Sequence, residues 1–146
     1  MPDLDVVEGL RSHARGDYAQ EAGVELLVRA FGGRFTDQGW PWIQAGDRPG
    51  WYWVDADAIL ANWGVLSGGE CRVLAVAAAL VGYGPLDELG ATLSGLDRRN
   101  LELVLAAMAH AGGSHQHAGL ADDNGRLRLV RLPAVIGWPD APARVG

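Results

Sequence analysis

The 146-residue chain predicts a single α+β domain, four to five helices packed with small antiparallel β-hairpins. Three observations carry that reading. Several apolar stretches keep a helical period, open on Ser or Asp and close on Gly. A Trp-rich run flanks the turn chemistry "AGDRPG". Near the end, "RLRLVRLP" alternates Arg with apolar residues. The length suits one domain, here residues 1–133. Residues 134–146, with Pro139 and Pro142, read as a poorly ordered tail.

A short helix is expected from Leu4 to His13, ended by Gly16. Asp17 can cap the next, Asp17 to Phe31, with Gly32-Gly33 as its stop. Residues 40–54, "WPWIQAGDRPGWYWV", read as a hairpin whose first strand Pro41 keeps at an edge. Asp55 caps a helix from Ala56 to Trp63, and Ser67 opens another from Gly68 to Val81. Residues 86–93 form a short helix or a turn. Asp97 caps a strong helix, Arg98 to Ala111, with Leu101, Val104, Leu105 and Met108 as its buried stripe. Asp123-Asn124-Gly125 is a turn, so residues 115–121 should pair with a half-buried strand at 126–131 whose Arg residues point outward.

Composition narrows the function classes. The net charge is −6 and all twelve basic residues are Arg. Eleven of the eighteen acids fall before residue 74. Without a basic stripe, direct nucleic-acid binding is not expected. The single Cys, Cys71, excludes an intramolecular disulfide and fits a reducing compartment. Residues 1–16 hold Asp3, Asp5 and Glu8 without an apolar run, so no signal peptide is read there. The longest apolar stretch, Val73 to Val81, is too short to span a membrane. A cytoplasmic, membrane-free protein is the expectation.

The stretch "VLSGGECRVLAVAAAL" resembles, in its LSGGE, the signature loop of ABC-type ATPases. The resemblance implies a nucleotide, and the remaining chemistry argues against it. A P-loop needs a Lys that reaches the phosphates, and this chain has no Lys. Ser67 and Glu70, three residues apart before an apolar helix, read instead as a capping box. Neither ATP nor any other cofactor is expected. "SGGECRVLAVAAALVG" with "GLDRRNLELVLAAMAHAGG", preceded by "PWIQ", is similar to short hypothetical proteins of actinobacteria and their phages, over roughly residues 20–113. That resemblance implies an origin and no activity.

Candidate chemistry is sparse. His110, His115 and His117 could supply zinc ligands, with His115 and His117 on one strand face and Asp122 or Asp123 nearby. A flexible Gly- and Asp-rich loop explains the same residues. Cys71 lies early in a helix, where a dipole can activate a thiol, but it shares a face with Leu74, Ala75 and Ala78. Ser67 lacks a nucleophile's surroundings, and the Asp55/Asp57 and Asp122/Asp123 pairs suit caps and turns. Trp40, Trp42, Trp51 and Trp53 are the least ordinary feature. On two strands, Trp40/Trp42 and Trp51/Trp53 could pair across the hairpin. They are either core or a contact surface, since Trp, Tyr and Arg dominate binding hot spots. The expected function is therefore that of a small non-enzymatic protein acting through contacts with a protein partner or with itself. Its binding residues would be Trp40, Trp42, Trp51 and Trp53. The alternative is a metal-binding protein or metal-dependent hydrolase using His110, His115 and His117.

Overall fold

A computed structural model describes residues 3–141, and these form one mixed unit of six α-helices and two separate two-stranded antiparallel sheets. The helices are α1 (Leu4–Ala14), α2 (Tyr18–Arg29), α3 (Ala56–Asn62), α4 (Gly68–Gly82), α5 (Leu89–Ser94) and α6 (Arg98–Ala111). Strands β1 (Ile43–Ala45) and β2 (Tyr52–Val54) form one hairpin, β3 (Ala118–Asp123) and β4 (Arg126–Arg131) the other. Two 3₁₀ segments, Ala30–Thr36 and Ser114–Gln116, follow α2 and α6. Residues 86–93, expected as a short helix or a turn, coil as α5 from Leu89 onward.

Local chemistry starts the helices. Asp17, Asp55, Ser67 and Asp97 each accept the backbone N–H three residues on, from Gln20, Ala58, Glu70 and Asn100. At α4 the Glu70 carboxylate also accepts the Ser67 N–H at 3.0 Å, which completes the capping box. α2 ends where Phe31, Gly32 and Gly33 all take positive φ, a run that no α-helix can continue.

α2 is the central element, packed by α4, α6 and α1. Gly23 makes the α2–α4 crossing close: a methyl group there would lie 3.1 Å from the Ala77 carbonyl oxygen and 2.5 Å from a Val81 methyl. The core joins Leu26 and Leu27 of α2 to Val73, Leu74 and Ala77 of α4 and to Leu103, Val104 and Ala107 of α6. α1 lies against β2, with Gly9 beside Gly50 and Tyr52.

Two expectations need correction. In α6 the buried stripe is Asn100, Leu103, Val104, Ala106 and Ala107, while Met108 is 38% exposed and Leu101 and Leu105 are half-buried. The helix is turned by about one residue, so that Leu103, Val104 and Ala107 meet the α2 and α4 residues of the core. Strand β4 is not half-buried, since its leucines face solvent as its arginines do. The segment after Pro133 folds back as far as it is described. The Val135 N–H donates to Ser114 Oγ, Arg29 lies over the Trp138 ring, and Arg99 donates to the Asp140 carbonyl. Residues 142–146 of the expected tail lie outside the described residues.

Candidate functional site

The four tryptophans occupy four different environments. Trp40 and Trp42 precede β1, in a turn closed by Trp40 N–H to Asp37 O and Ile43 N–H to Trp40 O. Their rings stack on each other at 4.7 Å, and Trp42 is fully buried, with its indole N–H donating to Phe35 O. Trp51 sits before β2, half-buried under Arg48 and edge-on to His13. Only Trp53 is on a strand, opposite Gln44. The cross-hairpin pairing of Trp40/Trp42 with Trp51/Trp53 therefore does not form, because β1 starts only at Ile43. Trp53, 37% exposed, lines a cleft of about 750 Å³ together with Leu60, Trp63 and Leu86.

The most exposed apolar surface on a regular element lies elsewhere, on the β3–β4 hairpin. In its register Leu120 faces Leu129 and Asp122 faces Leu127. Side chains alternate across a strand, so Leu120, Leu127 and Leu129 share one face. Their exposures are 67%, 72% and 74%. Arg131 and Ala118 hold the base end of that face and Asp122 its turn end, where an Asp122 oxygen accepts the Gly125 N–H.

The third arrangement is titratable. Glu21, in the first turn of α2, meets His110, in the last turn of α6, with Oε1 and Nε2 2.9 Å apart. Acid near a helix start and base near a helix end both suit the local dipoles. His115 of the second 3₁₀ segment stacks on His110 with centroids 4.0 Å apart. Tyr18 closes its other side edge-on at 5.0 Å. One ligand atom from each of Glu21, His110 and His115 lies within 4.8 Å of the others. Burial, then the charge of His110, holds the His115 pKa below the usual imidazole value against a smaller pull from Glu21. The anticipated set of His110, His115 and His117 is thus only partly assembled. His117 is exposed and stands apart because residues 114–116 turn as 3₁₀ helix, so His115 and His117 share no strand face. Glu21 is the residue the sequence did not point to, 89 positions from its histidine partner.

No family model matches the chain, and no curated protein or solved structure matches it either.

Elsewhere the side chains are already engaged. Ser67 and Glu70 cap α4, and Arg34 pairs with Glu70 at 2.8 Å. The Cys71 thiol donates to the Trp63 carbonyl oxygen at 3.5 Å. Among the described residues, no helix is long and apolar enough to cross a membrane.

Proposed function

We propose that this protein acts through protein contacts, that the contact surface is the leucine face of the β3–β4 hairpin, and that its first occupant is a second copy of the chain. One observation carries the reading: Leu120, Leu127 and Leu129 form a contiguous apolar face, each at least two-thirds exposed. Soluble proteins seldom leave such a face uncovered unless something binds it. Single scattered leucines are ordinary, and three on one face of a hairpin are not.

The charges at the two ends of the face select the mate. Stacking two hairpins about a two-fold axis perpendicular to the strands sets the Asp122 end of one over the Arg131 end of the other, twice. Stacking them in the same direction sets Asp122 against Asp122 and Arg131 against Arg131, which costs energy. The face thus complements itself in one direction only. Three leucines on each copy bury less than the roughly 1,200 Å² of a standard interface, so a weak, concentration-dependent dimer follows.

Sedimentation velocity across a dilution series tests this. The wild-type chain should shift from monomer towards dimer as concentration rises, and Leu129→Glu should stay monomeric with unchanged helical content. A wild-type chain that is monomeric throughout refutes the second-copy reading.

A further inference from the structure

We propose that Glu21, His110 and His115 form a binding site for one divalent transition-metal ion of the zinc class. The proposal is independent of the hairpin contact and rests on the convergence of these three side chains.

A simple hydrogen-bonded pair accounts for two of them. Glu21 and His110 lie 2.9 Å apart at favourable helix ends, and nothing more is needed to hold them. His115 is different. Its Nδ1 is buried without any hydrogen-bond partner among the described residues. An unpartnered buried polar atom destabilises the fold unless something outside the chain satisfies it. The stack of imidazole on imidazole gives that ring no polar partner either. A cation between the three side chains engages the pair and brings His115 into a shared polar arrangement.

The donor set selects the metal. Two imidazoles and one carboxylate suit zinc, cobalt, nickel and ferrous iron, whereas magnesium and calcium prefer shells of oxygen. Bonds of about 2.0–2.2 Å to a tetrahedral ion place its ligand atoms roughly 3.3–3.6 Å from one another. The Glu21–His110 separation of 2.9 Å is already near that value, and every ligand atom lies within 4.8 Å of the rest. The two rings are nearly parallel, 15° apart, so loading requires one imidazole to tilt until both nitrogens aim at one point. His115 sits on a short 3₁₀ segment, the easiest of the three elements to adjust.

The surroundings already orient the carboxylate. The Gly16 N–H donates to Glu21 Oε2 at 2.9 Å, which leaves Oε1 towards His110. Such outer partners fix ligand geometry in metal sites. Glu21 and His110 also line a cavity of about 390 Å³ that Arg15 and Trp138 help to wall. His115 is not among its lining residues, so a fourth ligand would reach the ion from the Glu21 and His110 side.

The test uses the full chain, freed of any affinity tag and stripped of metal, titrated with Zn²⁺ by calorimetry and with Co²⁺ by visible absorption. One saturable site is expected, with the Co²⁺ bands of a four- or five-coordinate ion. His115→Ala and Glu21→Gln should each weaken binding about tenfold or more, the size typical even of losing an outer partner. His117→Ala should leave binding unchanged. Should Glu21→Gln fail to fold, His115→Ala decides, because His115 is half-exposed and caps no helix. Absence of saturable binding overturns the proposal. So does His115→Ala binding as tightly as wild type, or His117→Ala weakening it equally, which moves the ion to the segment that carries His115 and His117.

Discussion

Truncating α6 one residue at a time separates its observed inner face from the one its leucines suggest. Leu103 is fully buried, next to the equally buried Val104. Leu103→Ala removes three carbons, a transfer loss of about 2.4 kcal/mol at roughly 0.8 kcal/mol for each. Leu103 is enclosed in the core shared by α2, α4 and α6, so the space cannot close fully. The added cavity cost brings the total to about 3–4 kcal/mol, inside the usual 2–5 kcal/mol span. Leu105 is half-buried, and solvent reaches the vacated volume. Its truncation loses about half the transfer energy and leaves no closed cavity, so about 1–1.5 kcal/mol is expected. Both variants place Ala in the middle of the same helix, so the gain in helix propensity cancels between them. Urea unfolding followed by circular dichroism gives both values if the slope m is unchanged. A Leu105→Ala loss equal to or larger than that of Leu103→Ala refutes this packing.

Two further outcomes follow. Ser67→Ala should cost about 0.5–2 kcal/mol in thermal or urea unfolding, because it removes an N-cap that also holds Glu70. Burial pushes Glu25 up, but hydrogen bonds from Arg11 at 2.6 Å and Arg29 at 2.9 Å outweigh it and hold the carboxyl below its ordinary 4.5. The unfolded chain then binds the proton more readily, so this stability is present above about pH 4.5 and fades as pH falls through the lower folded value. Glu25→Gln should cost about 1–3 kcal/mol at neutral pH, with the two unfolding curves converging in acid. A pH-independent gap between them contradicts the ion-pair account.

What was legible in the sequence was what is local. A cap acts within three residues, so Asp17, Asp55, Ser67 and Asp97 announce their helices with no knowledge of the rest of the chain. The two hairpins were equally readable, because turn chemistry sits between the strands it joins. Helix rotation was not. Leu101, Val104, Leu105 and Met108 keep the same spacing as Asn100, Leu103, Val104 and Ala107, and hydrophobicity alone favours the first set. The second set wins because it is the one that meets Leu26 and Leu27 of α2 and Leu74 of α4 in the core, a partnership that the spacing within α6 does not announce. The tryptophans misled for a related reason. Alternation from Trp40 presumes a strand there, whereas pairing starts at Ile43, and the stacked Trp40 and Trp42 close a turn over Phe35.

The candidate metal site marks the limit of such reading. His110 in the last turn of α6 and Glu21 in the first turn of α2 are each what a helix end favours, so neither is unusual in its own segment. The chain's path alone brings them together, across 89 positions. Of the three side chains, His115 has no local explanation: it caps no helix, and its Nδ1 is buried without a partner among the described residues. The substitutions therefore differ in what they can reveal. Loss of Glu21 disturbs its hydrogen bond with His110 and a contact with the Gly16 N–H whether or not a metal binds. Loss of His115 removes a residue that the metal-free fold leaves unsatisfied. Without a metal in the site, His115→Ala should be nearly neutral for stability, and a pronounced loss that appears only with Zn²⁺ present separates a metal ligand from a packing residue.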